Sequence, residues 1–274
     1  MKVTVLVENT VYHGGLFAEH GLSLLIEVGE RVILFDTGQS AAFLHNMERM
    51  EIDPAIITDV IISHGHYDHA GGLAAFLETG SDARIILTRG MFARRYHVRR
   101  GQHRYIGMPE ELRERLSASD RVYFAHDVSQ LDDHIWIITD IPQRNPIETV
   151  DDPFVVFDEH DQEVPDDLND EQALVIKTPA GLAVFTGCGH RGVINTLSYA
   201  VQAAGEDNIA LVMGGFHLIN ASNQRINWTI DRMRDKQVDH VVPLHCTGPF
   251  ARMQFYRTLG DRVHFYSTGE RFEL

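Results

Sequence analysis

Cysteine is scarce in this sequence, which has only Cys188 and Cys246 among its 274 residues. Two cysteines cannot form a disulfide framework, and neither belongs to a Cys-x-x-Cys pair, so a disulfide-stapled fold is excluded. Long apolar runs are also missing, and no segment approaches the roughly 20 residues of a membrane-spanning helix. The N-terminus lacks the apolar core and cleavage site of a signal peptide. We therefore expect a soluble cytoplasmic protein without a membrane partner.

Positive charge is in short supply. The 24 Lys and Arg are outnumbered by 39 Asp and Glu, which gives a net charge of −15 with His neutral. A general nucleic-acid binder needs a positive surface, so we expect no nucleic-acid partner. The Walker A motif and the serine nucleophile elbow are absent as well. The length allows one large domain or two small ones, and a hydrophobic content of 44% is ordinary for a globular protein. We predict a single domain over residues 1–274, because strand patterns resume directly after the acidic segment 151–171.

Histidine, by contrast, is abundant at 16 residues, and three of them lie in Ile-Ile-Ser-His-Gly-His-Tyr-Asp-His-Ala-Gly-Gly at residues 61–72. The apolar start indicates the end of a buried strand. Because alternate side chains of extended backbone share a face, His64 and His66 can point at one ion, and a turn into a helix brings Asp68 and His69 to a neighbouring position. Imidazoles with a carboxylate favour zinc, iron, nickel or manganese over calcium or magnesium.

Polar residues also end several other predicted strands. The hydrophobic pattern predicts hairpin strands near the N-terminus, then alternating helices and strands, and a last strand over residues 262–267. This order indicates a mixed sheet with helices packed on it. The remaining strand ends carry Asp36, Cys188 with His190, His217 and His245. Sites of layered α/β proteins gather at strand ends, so we expect these residues to join the motif at 61–72 in one pocket.

The segment 84–104 is unusual in an acidic chain because it has seven Arg and no Asp or Glu. The arginines are Arg84, Arg89, Arg94, Arg95, Arg99, Arg100 and Arg104. Guanidinium groups match the geometry of phosphate and carboxylate, so Arg94, Arg95 and Arg99 are candidate substrate ligands. The alternative is a solvated helix face that balances the acidic remainder. We interpret residues 90–170 as an insertion or cap that governs the choice of substrate.

The motif His64-Gly65-His66-Tyr67-Asp68-His69, preceded by a strand ending in Phe35-Asp36-Thr37-Gly38, resembles the metallo-β-lactamase superfamily, and the similarity runs over nearly the whole chain. Four further stretches resemble a narrower group of that superfamily, which includes the archaeal 7,8-dihydropterin-6-methyl-4-(β-D-ribofuranosyl)-aminobenzene-5′-phosphate synthase. They are Glu19-His20-Gly21-Leu22-Ser23, Thr186-Gly187-Cys188-Gly189-His190, Gly215-Phe216-His217-Leu218 and His245-Cys246-Thr247-Gly248. The resemblance implies an α/β fold with a four-layer αβ/βα sandwich, in which two mixed sheets face each other with helices outside.

The resemblance also implies ligands for one or two divalent transition metal ions, with zinc foremost and iron, manganese and nickel as alternatives. They are His64 and His66 for the first ion, and Asp68, His69 and His245 for the second. Asp36 would support these ligands from nearby.

Two departures from the superfamily pattern concern the ligands. Hydrolases of the superfamily usually have a third His for the first metal in the region that corresponds to residues 166–171, where this chain has none. They usually also have a bridging Asp where this chain has Cys188. His190 is our candidate for the replacement ligand. Cys188 is the second choice, and its alternative role is that of a small buried residue.

These residues predict a metal-dependent hydrolase or related transferase that uses activated water on a phosphorylated or otherwise anionic small molecule, such as a pterin or phosphoribosyl compound. Asp68 would orient the water, and His217 or His20 would shuttle a proton. The missing third His and bridging Asp favour an alternative, a non-catalytic metal-stabilised module for ligand binding or signalling. A di-iron redox site normally needs a flavin domain, for which 274 residues leave no room.

Overall fold

The computed structural model describes residues 1–149, 152–158 and 160–274, so residues 150, 151 and 159 of the predicted insertion lie outside the described residues. The described chain forms two large mixed sheets and a smaller third sheet. The strands of the first sheet, in spatial order, are β17 (Arg271–Glu273), β1 (Lys2–Val7), β2 (Ser23–Val28), β3 (Arg31–Phe35), β4 (Asp59–Ile61), β5 (Arg84–Leu87) and β8 (Val122–Phe124).

The second sheet faces the first. Its strands, in spatial order, are β16 (His240–Leu244), β15 (Ile209–Gly215), β14 (Gly181–Thr186), β13 (Ala173–Thr178), β10 (Ile135–Ile138) and β9 (Val128–Asp132). Strands β3, β4 and β5 run parallel in the first sheet, and β14, β15 and β16 run parallel in the second. The carboxyl ends of parallel strands lie at the same edge of a sheet, and ligand sites collect there.

Helices cover the outer faces of both large sheets. They are α1 (Ala42–Arg49), α2 (Tyr67–Ala70), α3 (Leu73–Leu77), α4 (Glu110–Ser117), α5 (Val193–Ala204), α6 (Asn223–Asp235) and α7 (Pro249–Leu259), with 3₁₀ turns at Pro54–Ile56, Arg89–Phe92, His245–Thr247 and Gly260–Arg262. In the described parts of the chain, none of the helices has the length and hydrophobicity that crossing a bilayer requires.

Apolar side chains on both faces of the large sheets explain this layering. Phe35 of the first sheet and Phe185 of the second belong to one buried cluster, so the two sheets pack face to face. The outer face of the first sheet packs against α1 through Phe43. The outer face of the second packs against α5 and α7 through Leu197 and Phe255. The layers confirm the predicted αβ/βα sandwich.

The third sheet is antiparallel and is built from the least interpretable part of the sequence. Its strands, in spatial order, are β12 (Glu163–Pro165), β11 (Phe154–Phe157), β6 (Arg95–Arg99) and β7 (Gln102–Tyr105). The Arg-rich segment is therefore extended where a solvated helix face was the alternative. The predicted last strand at 262–267 is also displaced, because the chain enters the first sheet only at β17.

Opposite charges explain why these distant segments meet in the third sheet. Arg95 is buried, and its guanidinium lies 2.7 Å from Asp166 and 2.8 Å from Asp170. His103 lies 2.6 Å from Glu163. A buried Arg needs paired carboxylates to offset its loss of hydration. The basic segment is thus held largely by the acidic segment near residues 160–170.

Glu148 stabilises the N-terminus of α5 from outside that helix. Its buried carboxylate accepts hydrogen bonds from the backbone N–H groups of Ile194 and Asn195, each at 2.8 Å. Gly192, which precedes the helix, has no side chain that could cap these groups. A carboxylate at this end also interacts favourably with the helix dipole.

We expect Glu148→Ala to lower the free energy of unfolding by on the order of 2 kcal/mol, because two buried N–H groups lose a charged acceptor. Denaturant unfolding followed by circular dichroism measures the change. Glu114→Ala, on the exposed face of α4, is the matched control and should stay within about 0.5 kcal/mol of the parent. Equal stabilities of the two variants would contradict the capping role.

Candidate metal centre

The candidate site lies where the carboxyl ends of the parallel strands of both sheets meet. The contributing residues are Asp36 after β3, His64 after β4, Cys188 and His190 after β14, His217 after β15 and His245 after β16. The helix α2 adds Asp68 and His69. The structure thus brings the predicted strand-end residues together around the motif at 61–72, as the contacts below describe.

Asp36 is fully buried and connects the first sheet to the histidine motif. Its carboxylate accepts hydrogen bonds from the Ser63 backbone N–H at 2.6 Å, from the Ser63 hydroxyl at 2.8 Å and from His69 Nδ1 at 2.7 Å. A Cβ atom on Gly187 would lie only 1.9 Å from Ser63 Oγ, so a glycine is needed for the β14 loop to pass this hydroxyl. Asp36 is therefore enclosed by donors and cannot itself face the pocket.

These contacts determine which ring nitrogens face the pocket. A carboxylate only accepts hydrogen bonds, so His69 donates from Nδ1 to Asp36 and directs Nε2 into the pocket. Burial lowers the pKa of His69, but Asp36 and Asp68 raise it to about 9, so a metal ion that binds Nε2 would displace a proton from it. The Ser63 hydroxyl donates to Asp36 and therefore accepts from His64 Nδ1 at 2.9 Å. His64 likewise directs Nε2 into the pocket, where a metal ion would bind it.

His64, His66 and His190 form a first group of potential ligands, because one nitrogen from each lies within 4.8 Å of the others. In the described chain, His66 Nε2 and both ring nitrogens of His190 have no hydrogen-bond partner. Burial lowers the pKa of all three imidazoles, in the case of His66 to about 3, so the rings are neutral. Buried neutral imidazoles with unpaired nitrogens fit a transition metal ion.

Asp68, His69 and His245 form a second group beside the first. His69 Nε2 lies 3.2 Å from His245 Nε2, and Asp68 Oδ2 lies 3.4 Å from His245 Nε2. Although burial raises the pKa of Asp68, the neighbouring His69, His20 and His245 hold it well below its usual value, so the carboxylate is charged. His20 joins this group at 3.1 Å from Asp68. The donor set of imidazoles and one carboxylate again suits a transition metal.

Cys188 lies between the two groups. Its Sγ atom is 3.2 Å from His69 Nε2 and falls within 4.8 Å of ligand atoms of His64 and His190. A bridging ligand, which the family resemblance predicts to be an Asp, would lie between the two groups as this thiol does. A thiolate is a common ligand of zinc and iron.

Buried acidic residues hold the ligand loops through their backbones. Asp170 accepts a hydrogen bond from the N–H of Gly65 at 2.8 Å. Glu171 accepts from the N–H groups of His190 and Arg191 at 2.8 and 2.7 Å. These acids stand in the region where a metal-binding His was expected from the resemblance. They support the loops that carry His66 and His190 through backbone contacts.

Three site residues have left-handed backbone conformations that non-glycine residues rarely adopt. The φ angles are 59° for Asp36, 49° for His217 and 47° for His245. Each costs on the order of 1 kcal/mol and persists only where neighbouring contacts fix it. For His245 those contacts are a hydrogen bond from its N–H to buried Glu8 at 3.0 Å and the approach of Nδ1 to Asn9 Oδ1 at 3.0 Å.

A pocket of about 260 Å³ opens over the ligand groups. Its lining includes the predicted residues His20, His66, Asp68, Cys188, His190, His217 and His245. Arg94, Arg95 and Arg99 are not among the lining residues. Arg95 is buried with Asp166 and Asp170, and Arg94 lines a neighbouring depression, 3.6 Å from Asp161. Arg99 is exposed at the end of β6. Contact of these three arginines with the substrate therefore stays a prediction, which the lining of this pocket does not support.

Other lining residues escaped the sequence reasoning. They include Tyr67, His97, Arg104, Asp152 and Phe154. The alternation of Arg95, His97 and Arg99 with Tyr96 and Val98 is a strand signal, and it could have placed His97 and Arg104 on one hairpin. Asp152, hydrogen-bonded to His217, lies 65 positions away in the chain, and no local pattern indicates that contact.

Comparison with known proteins gives consistent results. The family model described as "Metallo-beta-lactamase superfamily" matches residues 17–243. The 7,8-dihydropterin-6-methyl-4-(beta-D-ribofuranosyl)-aminobenzene-5′-phosphate synthase of Methanocaldococcus jannaschii is 30% identical, over 96% of this chain and 94% of the relative. An uncharacterized protein of the same organism is 31% identical over 90% of each chain.

A solved structure agrees with these relatives. The crystal structure of Tm1679, described as a metal-dependent hydrolase of the beta-lactamase superfamily, is 32% identical to this chain. It superposes with a TM-score of 0.86 and covers 100% of this chain and 99% of its own. The whole described fold therefore has a counterpart there.

We expect His190→Ala to reduce the bound metal by about one ion per chain, because the first group loses one of three imidazoles. Elemental analysis after dialysis against zinc, with circular dichroism to verify folding, measures the loss. His126→Ala, whose side chain is 84% exposed, serves as the control and should retain full metal. Full metal content in His190→Ala would remove His190 from the ligand set.

A second prediction concerns Glu171, which contacts the backbone of the His190 loop. We expect Glu171→Ala to weaken metal affinity by roughly 10- to 100-fold, since supporting contacts of this kind fix the ligand position. Competition with a chromophoric chelator measures the affinity. Asp167→Ala changes an exposed acid of the same segment and should leave the affinity unchanged. Equal affinities of the two variants would show that the loop holds its position without Glu171.

Proposed function

Because this chain belongs to the metallo-β-lactamase superfamily, we propose that it is a metal-dependent hydrolase that acts on an anionic small molecule. The observation that carries the proposal is the convergence of two ligand groups around one thiol. His64, His66 and His190 would hold one ion, and Asp68, His69 and His245 a second, with Cys188 between them. Zinc is the foremost candidate for this mixture of imidazole, carboxylate and thiolate.

When bound, divalent ions here supply Lewis acidity, which activates water near neutral pH and stabilises negative charge on an acyl or phosphoryl oxygen. Asp68 contributes a charged carboxylate that faces the pocket and can orient the attacking water. His20, beside Asp68 and with 54% of its side chain exposed, can pass a proton to solvent. The pocket of about 260 Å³ suits a metabolite and excludes a polymer that must be fully enclosed.

His217 would protonate the leaving group. Its Nε2 is hydrogen-bonded to the Asp152 carboxylate, which fixes the direction of the ring. Burial lowers the pKa of His217, but the contacts with Asp152 and Cys246 raise it to a net value of about 10, so the ring carries a proton at neutral pH. The His217 and His190 rings are tilted at 50° to each other with centroids 4.1 Å apart, so the protonated ring lies beside the first ligand group.

Transfer of a phosphoribosyl-type group is a second candidate reaction. It is favoured by the synthase of M. jannaschii, which is 30% identical over 96% of this chain. The same ligand groups would serve it, because stabilising an anionic leaving group assists condensation as well as hydrolysis. A pterin or phosphoribosyl substrate would be consistent with either reaction.

The non-catalytic module is less favoured, because His190 and Cys188 lie within 4.8 Å of other candidate ligands and could replace the missing His and Asp. It predicts that a metal-loaded protein raises its melting temperature with a ligand and turns nothing over. The hydrolase predicts turnover that stops when the ligands are removed.

We expect the metal-loaded protein to hydrolyse at least one of a phosphodiester, a lactone and a thioester, and His66→Ala to lose metal and activity together. Initial rates and elemental analysis on the same samples measure both. His126→Ala should match the parent in each. Metal-loaded parent protein that leaves all three substrates intact would refute hydrolysis, and full metal in His66→Ala would refute the ligand assignment.

A further inference from the structure

A row of three side chains from the third sheet covers the pocket. Phe154 of β11 is paired with His97 of β6, and His97 is paired with Arg104 of β7. Directly opposed residues of antiparallel strands project from the same face of the sheet. All three residues line the pocket. We refer to Phe154, His97 and Arg104 as the recognition row.

The recognition row approaches the ligand groups at its Phe154 end. The Phe154 ring centroid lies 5.2 Å from that of His66 and 5.8 Å from that of His190. The His97 ring follows at 5.6 Å from Phe154. Arg104 is thus separated from the ligands by an aromatic ring and an imidazole. A molecule that spans the row would place an apolar or flat part near Phe154 and another group at Arg104.

Arg104 brings a guanidinium group to the wall of this pocket. It is the one Lys or Arg among the described lining residues, and in the described chain no carboxylate lies within ion-pair distance of it. The acids of the pocket are engaged elsewhere, Asp68 with His20 and Asp152 with His217. Arg95 of the same hairpin is instead neutralised by buried acids.

Tyr67 holds Arg104 in place without neutralising it. Arg104 Nη2 donates a hydrogen bond to the Tyr67 hydroxyl at 3.2 Å, and the guanidinium carbon lies 5.5 Å from the centre of the Tyr67 ring. Tyr67 stands between His66 and Asp68 in the chain. The cation is therefore tied to the backbone that carries two candidate ligands, which keeps its position relative to them.

We propose that Arg104 determines substrate specificity by binding a phosphate or carboxylate group of the substrate, while Phe154 packs against a flat apolar part between that anion and the ligand groups. The inference rests on the proposed function and names the substrate class of the same site, a small anionic ring compound. Guanidinium groups bind such anions through paired charge-assisted hydrogen bonds. Arg94, Arg95 and Arg99, from the same segment, take no part.

The test uses the metal-loaded full chain and titrates inorganic phosphate, and separately acetate, by calorimetry. We expect Arg104→Met to weaken binding of at least one anion about tenfold or more, because a charge-assisted pair is lost. Metal content should not change. Binding to the parent should weaken as salt rises, and this dependence should be smaller in the variant. Arg99→Met, an exposed position of the same hairpin, should bind within about twofold of the parent.

Each outcome decides the inference. A loss of affinity for phosphate alone supports a phosphorylated substrate. A loss of affinity for both anions extends the substrate class to carboxylates. Unchanged affinity and salt dependence in Arg104→Met would overturn it. If that variant does not fold, Arg104→Lys replaces it, and binding equal to the parent would then overturn the paired contact. Anion binding can be lost in a protein that turns over no substrate, and turnover can continue in a variant without Arg104. The anion-binding test and the hydrolase test can therefore fail independently of each other.

Discussion

The buried carboxylate of Asp36 is the contact on which the candidate centre depends. A buried carboxylate is costly unless donors surround it. Here the donors are Ser63 and His69, so the groups that stabilise the charge are those whose direction the site requires. The same three bonds join the end of β3 to the loop after β4 and to α2. The orientation of two imidazoles, and hence the nitrogen that each can offer to a metal ion, follows from one acid in the first sheet.

Buried acids also hold three ligand loops where these loops leave their strands. Asp170, Glu171 and Glu8 are buried acids that accept hydrogen bonds from backbone N–H groups of Gly65, His190 and His245. Backbone contacts leave the side chains free for ligation. The acidic residues at 166–171, where the resemblance implies a His, support the loops that carry His66 and His190. The absence of the usual His at 166–171 and the support of the ligand loops by acids at these positions thus go together.

The sequence was most informative where segments that follow each other in the chain are also neighbours in the fold. Apolar runs that end in a polar residue were enough to predict a mixed sheet with helices and to gather His64, Cys188 and His217 at one edge, because parallel strands end together. The two-sheet sandwich was predicted from the family resemblance. The sequence was least informative where distant segments pair. Arg95 meets Asp166 over 71 positions, and β6 pairs with β11 although β7, α4, β8, β9 and β10 lie between them in the chain. Neither charged segment reveals its partner alone, although their opposite charges are a signal in combination.

The separation between ligands and recognition row has an evolutionary consequence. The ligands lie at strand ends of the two large sheets, which pack against each other and against the outer helices. Phe154, His97 and Arg104 lie on a small sheet beside them. Substitutions, insertions or an exchanged hairpin in that small sheet can alter which molecules enter the pocket. The ligand groups at the strand ends, and the chemistry that they support, stay unchanged. Such a scaffold can diversify by changing one wall of its pocket.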